Sequence, residues 1–260
     1  MKKLVLLCFL LVTQNAIAQK QKEIKDFKEK WKLDVADMTS FTVNSLAGNL
    51  KIIGVEDKEL SLKVEGTDVY RLNGGNMELG CMLTKNKNGQ YRLQGILDPT
   101  ALLDVTFTLY LPNSVDLELH FGSRVKDQTS WQIDGMNAAI QLVKNNGDVK
   151  LNEVSGPLTL FNQKGSIEII YSEVDQALPH SIAADGDIIL AMPENTNATL
   201  DLNLNDDAVI ECDFPINGVP RLQLGYNSLG RGLYNYQLNK GGVKIRLHVY
   251  GQNHQVKIKN

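Results

Sequence analysis

Apolar and polar residues alternate along most of the chain after residue 40. The alternation is clearest in four segments: Phe41-Thr42-Val43, Leu50-Lys51-Ile52, Leu60–Val64 and Thr106–Leu111. A period of two puts every second side chain on the same face of a strand, so each segment predicts a strand with one buried face. No stretch after residue 35 keeps the 3.6-residue period of an amphipathic helix. The pattern therefore predicts an all-β protein with almost no helix.

Two of the predicted strands should be joined by a tight turn. Asn88-Gly89 lies between Met82-Leu83-Thr84 and Tyr91-Arg92-Leu93. An Asn-Gly pair favours a type I′ turn, in which both central residues have a positive φ, and such turns connect antiparallel strands. We expect a β-hairpin at this point of the chain.

A short unit recurs in the middle of the chain: glycine, any residue, an apolar residue, any residue, and a second apolar residue. It begins at Gly147, Gly156, Gly165 and Gly186, with an early copy at Gly48. A spacing of nine residues accommodates a five-residue strand and a tight corner. Two such strands make a repeat of roughly 18 to 21 residues, which is in the range of solenoid repeats. Glycine at each corner would supply the positive φ that other residues resist.

Stacking of these units predicts which side chains face the interior. The inward residues would be Val149, Leu151, Leu158, Leu160, Ile167, Ile169, Ile188 and Leu190. Lys150, Thr159 and Glu168 would face outward, and Lys150 and Glu168, one repeat apart, would form a cross-strand ion pair. We therefore predict an all-β fold in the form of a β-helix-like stacked strand solenoid. A β-sandwich of short strands is the alternative.

The first residues of the chain resemble a secretory signal peptide. Lys2 and Lys3 precede an apolar run from Leu4 to Val12, and the triplet Ala16-Ile17-Ala18 has the small-x-small form that signal peptidase cleaves. The apolar run is about half of the roughly 20 residues that a membrane anchor needs. We expect a signal peptide at 1–18, a charged lead-in at 19–39 and a β-strand-repeat domain at 40–260. The protein would then be in the periplasm, at the cell surface or outside the cell.

Charge, hydropathy and cysteine content limit which kinds of binding partner and covalent link are expected. The whole chain carries a formal charge of −3, and cleavage of the signal peptide removes two lysines, so no concentrated basic surface for nucleic acid is expected. No second apolar run is long enough to span a bilayer, so the mature chain should lack a transmembrane segment. Cys81 and Cys212 remain after cleavage, and they either form a disulfide or stay as two buried thiols.

These motifs resemble the putative-adhesin family of bacterial exported proteins, a family of unknown function. The resemblance covers roughly residues 40 to 258 and rests on the following segments: Gly48–Ile52, Leu60–Val64, Leu111-Pro112, the glycine units from Gly147 to Leu190, Met192-Pro193, Val243-Lys244-Ile245 and Gly251–Ile258. It implies a β-strand-repeat solenoid in the envelope or outside the cell, and it brings no catalytic residues. The glycine spacing is lost between Phe121 and Ala139.

Few residues suggest catalysis or metal binding. The corners Asn145–Asp148, Asp185-Gly186-Asp187 and Asn205-Asp206-Asp207 are rich in oxygen ligands, but Asn-Gly and Asp-Gly are also ordinary turn residues. The histidines show no H-x-x-x-H or H-E-x-x-H spacing, and no G-x-S-x-G elbow occurs. We therefore expect turns rather than calcium sites, no cofactor and no enzyme activity.

Four tyrosines in the C-terminal third are the candidate binding patch: Tyr226, Tyr234, Tyr236 and Tyr250. Exposed, they could stack against a sugar or a peptide; packed inward, they would close the end of the core. The sequence favours a non-enzymatic, adhesin-like envelope or secreted module that binds an unknown protein or a surface glycan. The alternatives are a carbohydrate-active enzyme on a β-helix scaffold and a purely structural periplasmic protein.

Overall fold

The computed structural model describes residues 33–46, 48–65, 81–95, 105–120, 129–205, 208–214, 216–217 and 231–260. The predicted signal peptide and residues 19–32 of the predicted lead-in lie outside these residues. Every regular element in the described ranges is a β-strand, which confirms the all-β prediction. The described residues accordingly contain no helix with the length and apolarity to cross a membrane.

The strands are short and follow the alternating segments. In chain order they are β1 (Leu33–Asp34), β2 (Ser40–Asn44), β3 (Asn49–Val55), β4 (Glu59–Glu65), β5 (Cys81–Lys85), β6 (Gln90–Gly95), β7 (Thr106–Pro112), β8 (Asp116–His120), β9 (Trp131–Asp134), β10 (Ile140–Lys144), β11 (Val149–Val154), β12 (Leu158–Asn162), β13 (Ile167–Tyr171), β14 (His180–Ala184), β15 (Ile188–Ala191), β16 (Ala198–Asn205), β17 (Val209–Cys212), β18 (Ile216–Asn217), β19 (Arg231–Leu238), β20 (Val243–Val249) and β21 (Gln255–Lys259).

These strands form two large, mostly parallel sheets. The eleven-stranded sheet has the order β18-β19-β16-β20-β14-β12-β10-β8-β2-β6-β5. The ten-stranded sheet has the order β1-β4-β7-β3-β9-β11-β13-β15-β21-β17. Side chains from both sheets belong to one hydrophobic core.

From β8 to β15 the chain alternates strictly between the two sheets. Consecutive strands belong to different sheets. Strands two apart in the chain are neighbours in the same sheet and run parallel to each other. Val149 of β11 lies opposite Ile167 of β13, and Ile140 of β10 lies opposite Leu158 of β12. These registers match the spacing of the glycine units.

At both ends of the stack, strand order departs from chain order. The pair β2–β3 lies between strands that come later in the chain: β2 between β8 and β6, and β3 between β9 and β7. The pair β20–β21 is inserted in the same way, with β20 between β14 and β16, and β21 between β15 and β17. Both chain ends therefore contribute strands to the interior of the sheets.

Antiparallel strands cover the outermost parallel strands at three of the four sheet edges, while β17 at the fourth edge pairs in parallel with β21. At one end β5 pairs with β6, while β4 pairs with β7 and β1 with β4. At the other end β19 pairs with β16, and β18 pairs with β19. Reversed edge strands of this kind limit further parallel addition of the repeat.

The predicted faces of the middle strands are confirmed. All eight residues predicted to face inward are buried, from Val149 to Leu190. Thr159 and Lys150 are exposed, and the partly exposed Glu168 forms an ion pair with Lys150, with 3.1 Å between Nζ and Oε2. The cross-strand partner was therefore predicted correctly.

Glycine is required at the corners for a second reason besides a positive φ. Gly147 and Gly165 have φ values of 87° and 135°, as predicted, whereas Gly186 does not have a positive φ. A Cβ on Gly186 would collide with the carbonyl oxygen of Gly165, and a Cβ on Gly165 would collide with that of Gly147. Successive corners thus stack too closely for any side chain, and the explanation from φ alone was wrong for Gly156 and Gly186, neither of which has a positive φ.

The predicted hairpin is present, but its turn is not type I′. Strands β5 and β6 pair antiparallel across residues 86–89, where Gly89 has a positive φ and Asn88 does not. Asn86 closes the turn, because its Oδ1 accepts hydrogen bonds from the backbone N–H groups of Asn88 and Gln90 at 2.9 and 3.1 Å. Because the Asn86 side chain accepts these hydrogen bonds, the turn closes without the two positive φ values of a type I′ turn.

One strand lies where the glycine spacing is lost. Trp131 of β9 is opposite Val149 of β11, so Thr129 lies two residues before the strand, as Gly147 does in the next repeat. Thr129 accepts a hydrogen bond from the buried Lys144 Nζ at 3.1 Å, and that ammonium lies 4.9 Å from the centroid of the Trp131 ring. A polar corner thus takes the place of glycine in this repeat.

Cys81 and Cys212 lie at opposite ends of the stack and are both free. Cys81 is buried on β5 and Cys212 is half-buried on β17. A disulfide requires Cα atoms within about 7 Å, so this pair cannot form one. Burial raises the pKa of the Cys81 thiol to about 12, so that thiol stays protonated at neutral pH.

Candidate binding surface on the eleven-stranded sheet

The outer face of the eleven-stranded sheet carries two rows of side chains. In β12, Leu158 and Leu160 face the core, while Thr159 and Phe161 face outward. Parallel register aligns these positions across the sheet. The polar row consists of Arg246, Ser181, Thr159, Gln141, Glu118, Thr42, Arg92 and Thr84. The mixed row consists of Leu233, Asn203, His248, Ala183, Phe161, Val143, His120, Asn44 and Gln94.

Three rings meet on the mixed row, and we call Phe161, His248 and Tyr250 the ring cluster. The Tyr250 ring packs edge-on to Phe161 with 6.0 Å between centroids, and it lies 4.0 Å from the His248 ring at a 33° tilt. Ala183 occupies the row position between Phe161 and His248, and the Tyr250 ring contacts the rings on both sides of it. Tyr250 keeps 37% of its surface exposed. The cluster is a partly solvated aromatic surface on a parallel part of the sheet.

The predicted tyrosine patch is divided between two environments. Tyr234 and Tyr236 lie on β19 opposite the buried residues Leu202 and Leu200, and both pack against the hydrophobic core. Their rings stack with 6.3 Å between centroids and 6° between planes. Burial raises the pKa of the Tyr236 hydroxyl. Tyr250 belongs to the ring cluster, and Tyr226 lies outside the described residues.

A polar cleft of about 280 Å³ lies at the other end of the polar row. It is formed where β5, β6, β2 and β8 lie side by side, next to the edge of the sheet. Its lining residues are Ser40, Thr42, Thr84, Lys85, Asn86, Gln90, Tyr91, Arg92 and Glu118. Hydroxyl and amide groups dominate this lining, and such groups both donate and accept hydrogen bonds.

Two of the charged groups in the cleft have partners within the protein. Lys85 Nζ lies 2.7 Å from Asp37 Oδ2 and 5.0 Å from the centroid of the Tyr91 ring. The hydrogen bond between Lys85 and Asp37 raises the pKa of Lys85 and lowers the pKa of Asp37. Glu118 accepts a hydrogen bond from Thr42 Oγ1 at 3.4 Å and lies 3.9 Å from His120 Nε2.

Arg92 is the remaining charged group of the cleft. Its side chain is exposed on the outer face of β6, with Thr84 and Thr42 opposite it on the two neighbouring strands. Within the described part of the chain, no ion pair or hydrogen bond engages its guanidinium group. Among the described residues that line the cleft, Arg92 is therefore the cation whose guanidinium donors have no protein partner.

The acidic side chains at the corners accept hydrogen bonds from backbone N–H groups. Asp148 Oδ1 accepts a hydrogen bond from Ser166 N–H, and Asp187 Oδ1 accepts one from Gln255 N–H, both at 2.9 Å. His254 lies between Asp185 and Asp187, at 3.5 and 3.6 Å from their carboxylates. Among the described residues, no group of three or more His, Cys, Asp or Glu side chains is arranged to hold a metal ion. Asp206 and Asp207 lie outside those residues.

The histidines occupy unrelated positions. His180 is buried, with its Nδ1 3.2 Å from Tyr171 Oη and its Nε2 3.3 Å from the carbonyl oxygen of Asp175. Burial lowers the pKa of His180 and raises that of Tyr171. His120 borders the cleft through Glu118, and His248 belongs to the ring cluster.

Sequence reasoning did not identify Phe161, His248 or Arg92 as surface candidates. Phe161 carried a usable signal, because a large ring stands at an outward position of a repeat whose other outward residue is Thr159. The contact between Phe161 and Tyr250 had no such signal, since it depends on the insertion of β20 beside β14. Arg92 had no signal in the sequence beyond its place in the hairpin segment.

Comparison with known proteins identifies a similarity of fold. No protein-family model matches the chain, and no curated protein sequence matches it. A crystal structure of a putative cell adhesion protein from Clostridium sporogenes has a similar fold, with a TM-score of 0.50 and 12% sequence identity. The similarity covers 89% of this chain and 97% of that one. At this identity the chain shares an all-β architecture with that protein, over nearly the whole length of both.

Proposed function

We propose that this protein is a non-catalytic, exported binding module of the cell envelope or cell exterior, and that it binds a surface glycan on the outer face of the eleven-stranded sheet. The observation that carries the proposal is the ring cluster of Phe161, His248 and Tyr250 beside a continuous polar row. Aromatic rings offer apolar faces, and hydroxyl and amide side chains offer hydrogen bonds. A sugar presents the complementary pair, with C–H faces and hydroxyl edges.

The regular strand order of the scaffold supports this proposal. In our interpretation the alternating strand pairs are coils of a β-helix-like solenoid of the putative-adhesin type. The offsets of 18 to 23 residues between paired strands from β8 to β15 and the alternation between sheets favour that interpretation. Solenoids use extended, preformed faces for binding. The similar fold of a protein described as a putative cell adhesion protein fits the same class of function.

The arrangement of the acids supports a role without catalysis. Glycoside hydrolases use two carboxylates about 5 to 9.5 Å apart. Glu118 is the one carboxylate among the nine residues that line the cleft. Glu168, the acid of the central repeat, is paired with Lys150. Neither of these two sites offers the pair of acids that hydrolysis would require. Asp185 and Asp187 do lie close together, and both carboxylates contact His254.

Affinity electrophoresis in gels that contain soluble polysaccharides tests the proposal. The chain from Gln19 onward should be retarded by at least one polysaccharide, and Phe161→Ala or Tyr250→Ala should reduce the retardation. Ile170→Ala is the matched control, because Ile170 is exposed to about the same extent as Tyr250 but lies on the ten-stranded sheet. Absence of retardation across neutral and acidic polysaccharides, or equal retardation of all variants, would contradict the proposal. N-terminal sequencing of the native protein tests export, with Gln19 as the expected first residue.

A further inference from the structure

The position of Arg92 in the cleft has a chemical consequence. A guanidinium group carries five N–H donors in a planar fork that matches the two oxygens of a carboxylate. Thr42 and Thr84 flank it at the same row position on the neighbouring strands, and Gln90 lines the cleft on its own strand. The hydroxyl groups of Thr42 and Thr84 donate to Glu118 and to the Arg92 carbonyl oxygen, so their oxygens remain as acceptors on both sides of a carboxylate held by Arg92.

Glu118 defines the opposite end of the cleft. It occupies the same row as Arg92 but lies two strands away, with Thr42 between them. Adjacent strands are about 4.8 Å apart, so the two charged residues are separated by about 10 Å along the row. A carboxylate of a ligand would be repelled near Glu118, whereas ligand hydroxyls could donate to it. The cleft is therefore polarised, with its anion-binding group at one end and its strong acceptor at the other.

We infer that this cleft is a subsite for an acidic saccharide of the hexuronic acid class. Arg92 binds the sugar carboxylate, and Glu118, Thr42 and Gln90 take the hydroxyl groups. The inference rests on the proposed function, because it specifies which glycans the outer face of the sheet prefers. The ring cluster lies on the same face of the same sheet, so a longer chain can contact both.

Calorimetric titration with oligogalacturonate and with its methyl-esterified form tests the inference. The two probes share one skeleton and differ in the charge of the carboxyl groups. We expect wild-type protein to bind the acid form, and Arg92→Gln to weaken that binding about tenfold or more, as the loss of a charge-assisted hydrogen-bond pair does. The methyl ester should bind wild type about as weakly as the acid binds Arg92→Gln.

Lys259→Gln is the matched control. Lys259 is exposed on β21 of the ten-stranded sheet, away from the proposed binding face, and its replacement removes the same charge. Its affinity for the acid form should equal that of wild type. Equal weakening by both substitutions would indicate a general charge effect and overturn the inference, as would equal binding of the two probes or no binding of the acid. Neutral polysaccharide binding that depends on Phe161 would, in those cases, leave the proposed function standing. Unchanged melting temperatures of both variants exclude misfolding as a cause.

Discussion

Lys150 and Glu168 lie directly opposite each other on adjacent parallel strands, and their side chains form an ion pair across the outer face of the ten-stranded sheet. Their neighbours in sequence, Leu151 and Ile167, are fully buried on the other face. Residues adjacent in sequence thus lie on opposite faces, one in contact with solvent and the other in the core. The contrast allows a direct test of how much each face contributes to stability.

Ile167→Asp should destabilise the protein by several kcal/mol, because it buries a carboxylate that has no partner. Glu168→Ala should cost under about 1 kcal/mol, since the ion pair that it removes is solvent-exposed. Denaturant midpoints of the two variants measure the difference. Equal losses would mean that the assignment of inner and outer faces is wrong.

The stacked corners predict an order of stability between two glycine substitutions. Gly135 has a positive φ of 68° and room for a Cβ, so Gly135→Ala should cost the roughly 1 to 2 kcal/mol of the left-handed conformation. Gly186 lacks a positive φ, but its Cβ would strike the backbone of Gly165. Gly186→Ala should therefore be worse, at about 3 kcal/mol or more. Thermal unfolding of both variants measures the order, and a milder effect at Gly186 would contradict close stacking.

The buried His180 predicts loss of stability in mild acid. Burial lowers its pKa in the folded state, so the unfolded chain, with a pKa near 6.5, binds the proton more readily. Stability should then decrease as pH falls below about 6.5 and be restored above it. Urea midpoints at pH 7.5 and pH 5.5 measure this slope, and His180→Gln should reduce it. An unchanged slope in that variant would assign the pH dependence to other groups.

The corner carboxylates predict no requirement for calcium. Asp148 and Asp187 already accept backbone hydrogen bonds from the next strand. Treatment with EDTA should therefore leave the melting temperature unchanged. A bound ion at about 100 times its dissociation constant would contribute about 2.7 kcal/mol, which a thermal scan detects easily. A drop with EDTA that calcium reverses would show that these corners bind the ion.

Local patterns predicted the strands and the register between near neighbours. Alternation around Phe41, Leu109 and Ile167 identified the inner faces, and the glycine spacing identified Val149 and Ile167 as partners. Both signals depend on residues within one or two repeats of each other. They are physically strong because a slip of one residue would move every apolar side chain to solvent.

Pairings over long distances had no comparable signal. Ile188 of β15 lies opposite Val256 of β21, and nothing in either strand distinguishes that partner from other alternating segments. The ring cluster depends on such a pairing, so Phe161 and Tyr250 could not be brought together from the sequence. Trp131 was missed for another reason, since a threonine at its corner hides the repeat.

The insertion of β2–β3 and β20–β21 between strands from elsewhere in the chain also limits how such a protein can change in length. An ordinary repeat array can gain or lose units at its ends, because each unit contacts its neighbours in chain order. Here a duplication of β2–β3 or β20–β21 would not extend the stack in chain order, because the outermost positions hold β5, β17 and β18 from the interior of the sequence and the two-residue strand β1. Between β9 and β14, chain order and spatial order agree. Growth by tandem duplication is therefore confined to the centre, where each added 18-residue unit would lengthen the polar row and move the cleft and the ring cluster further apart.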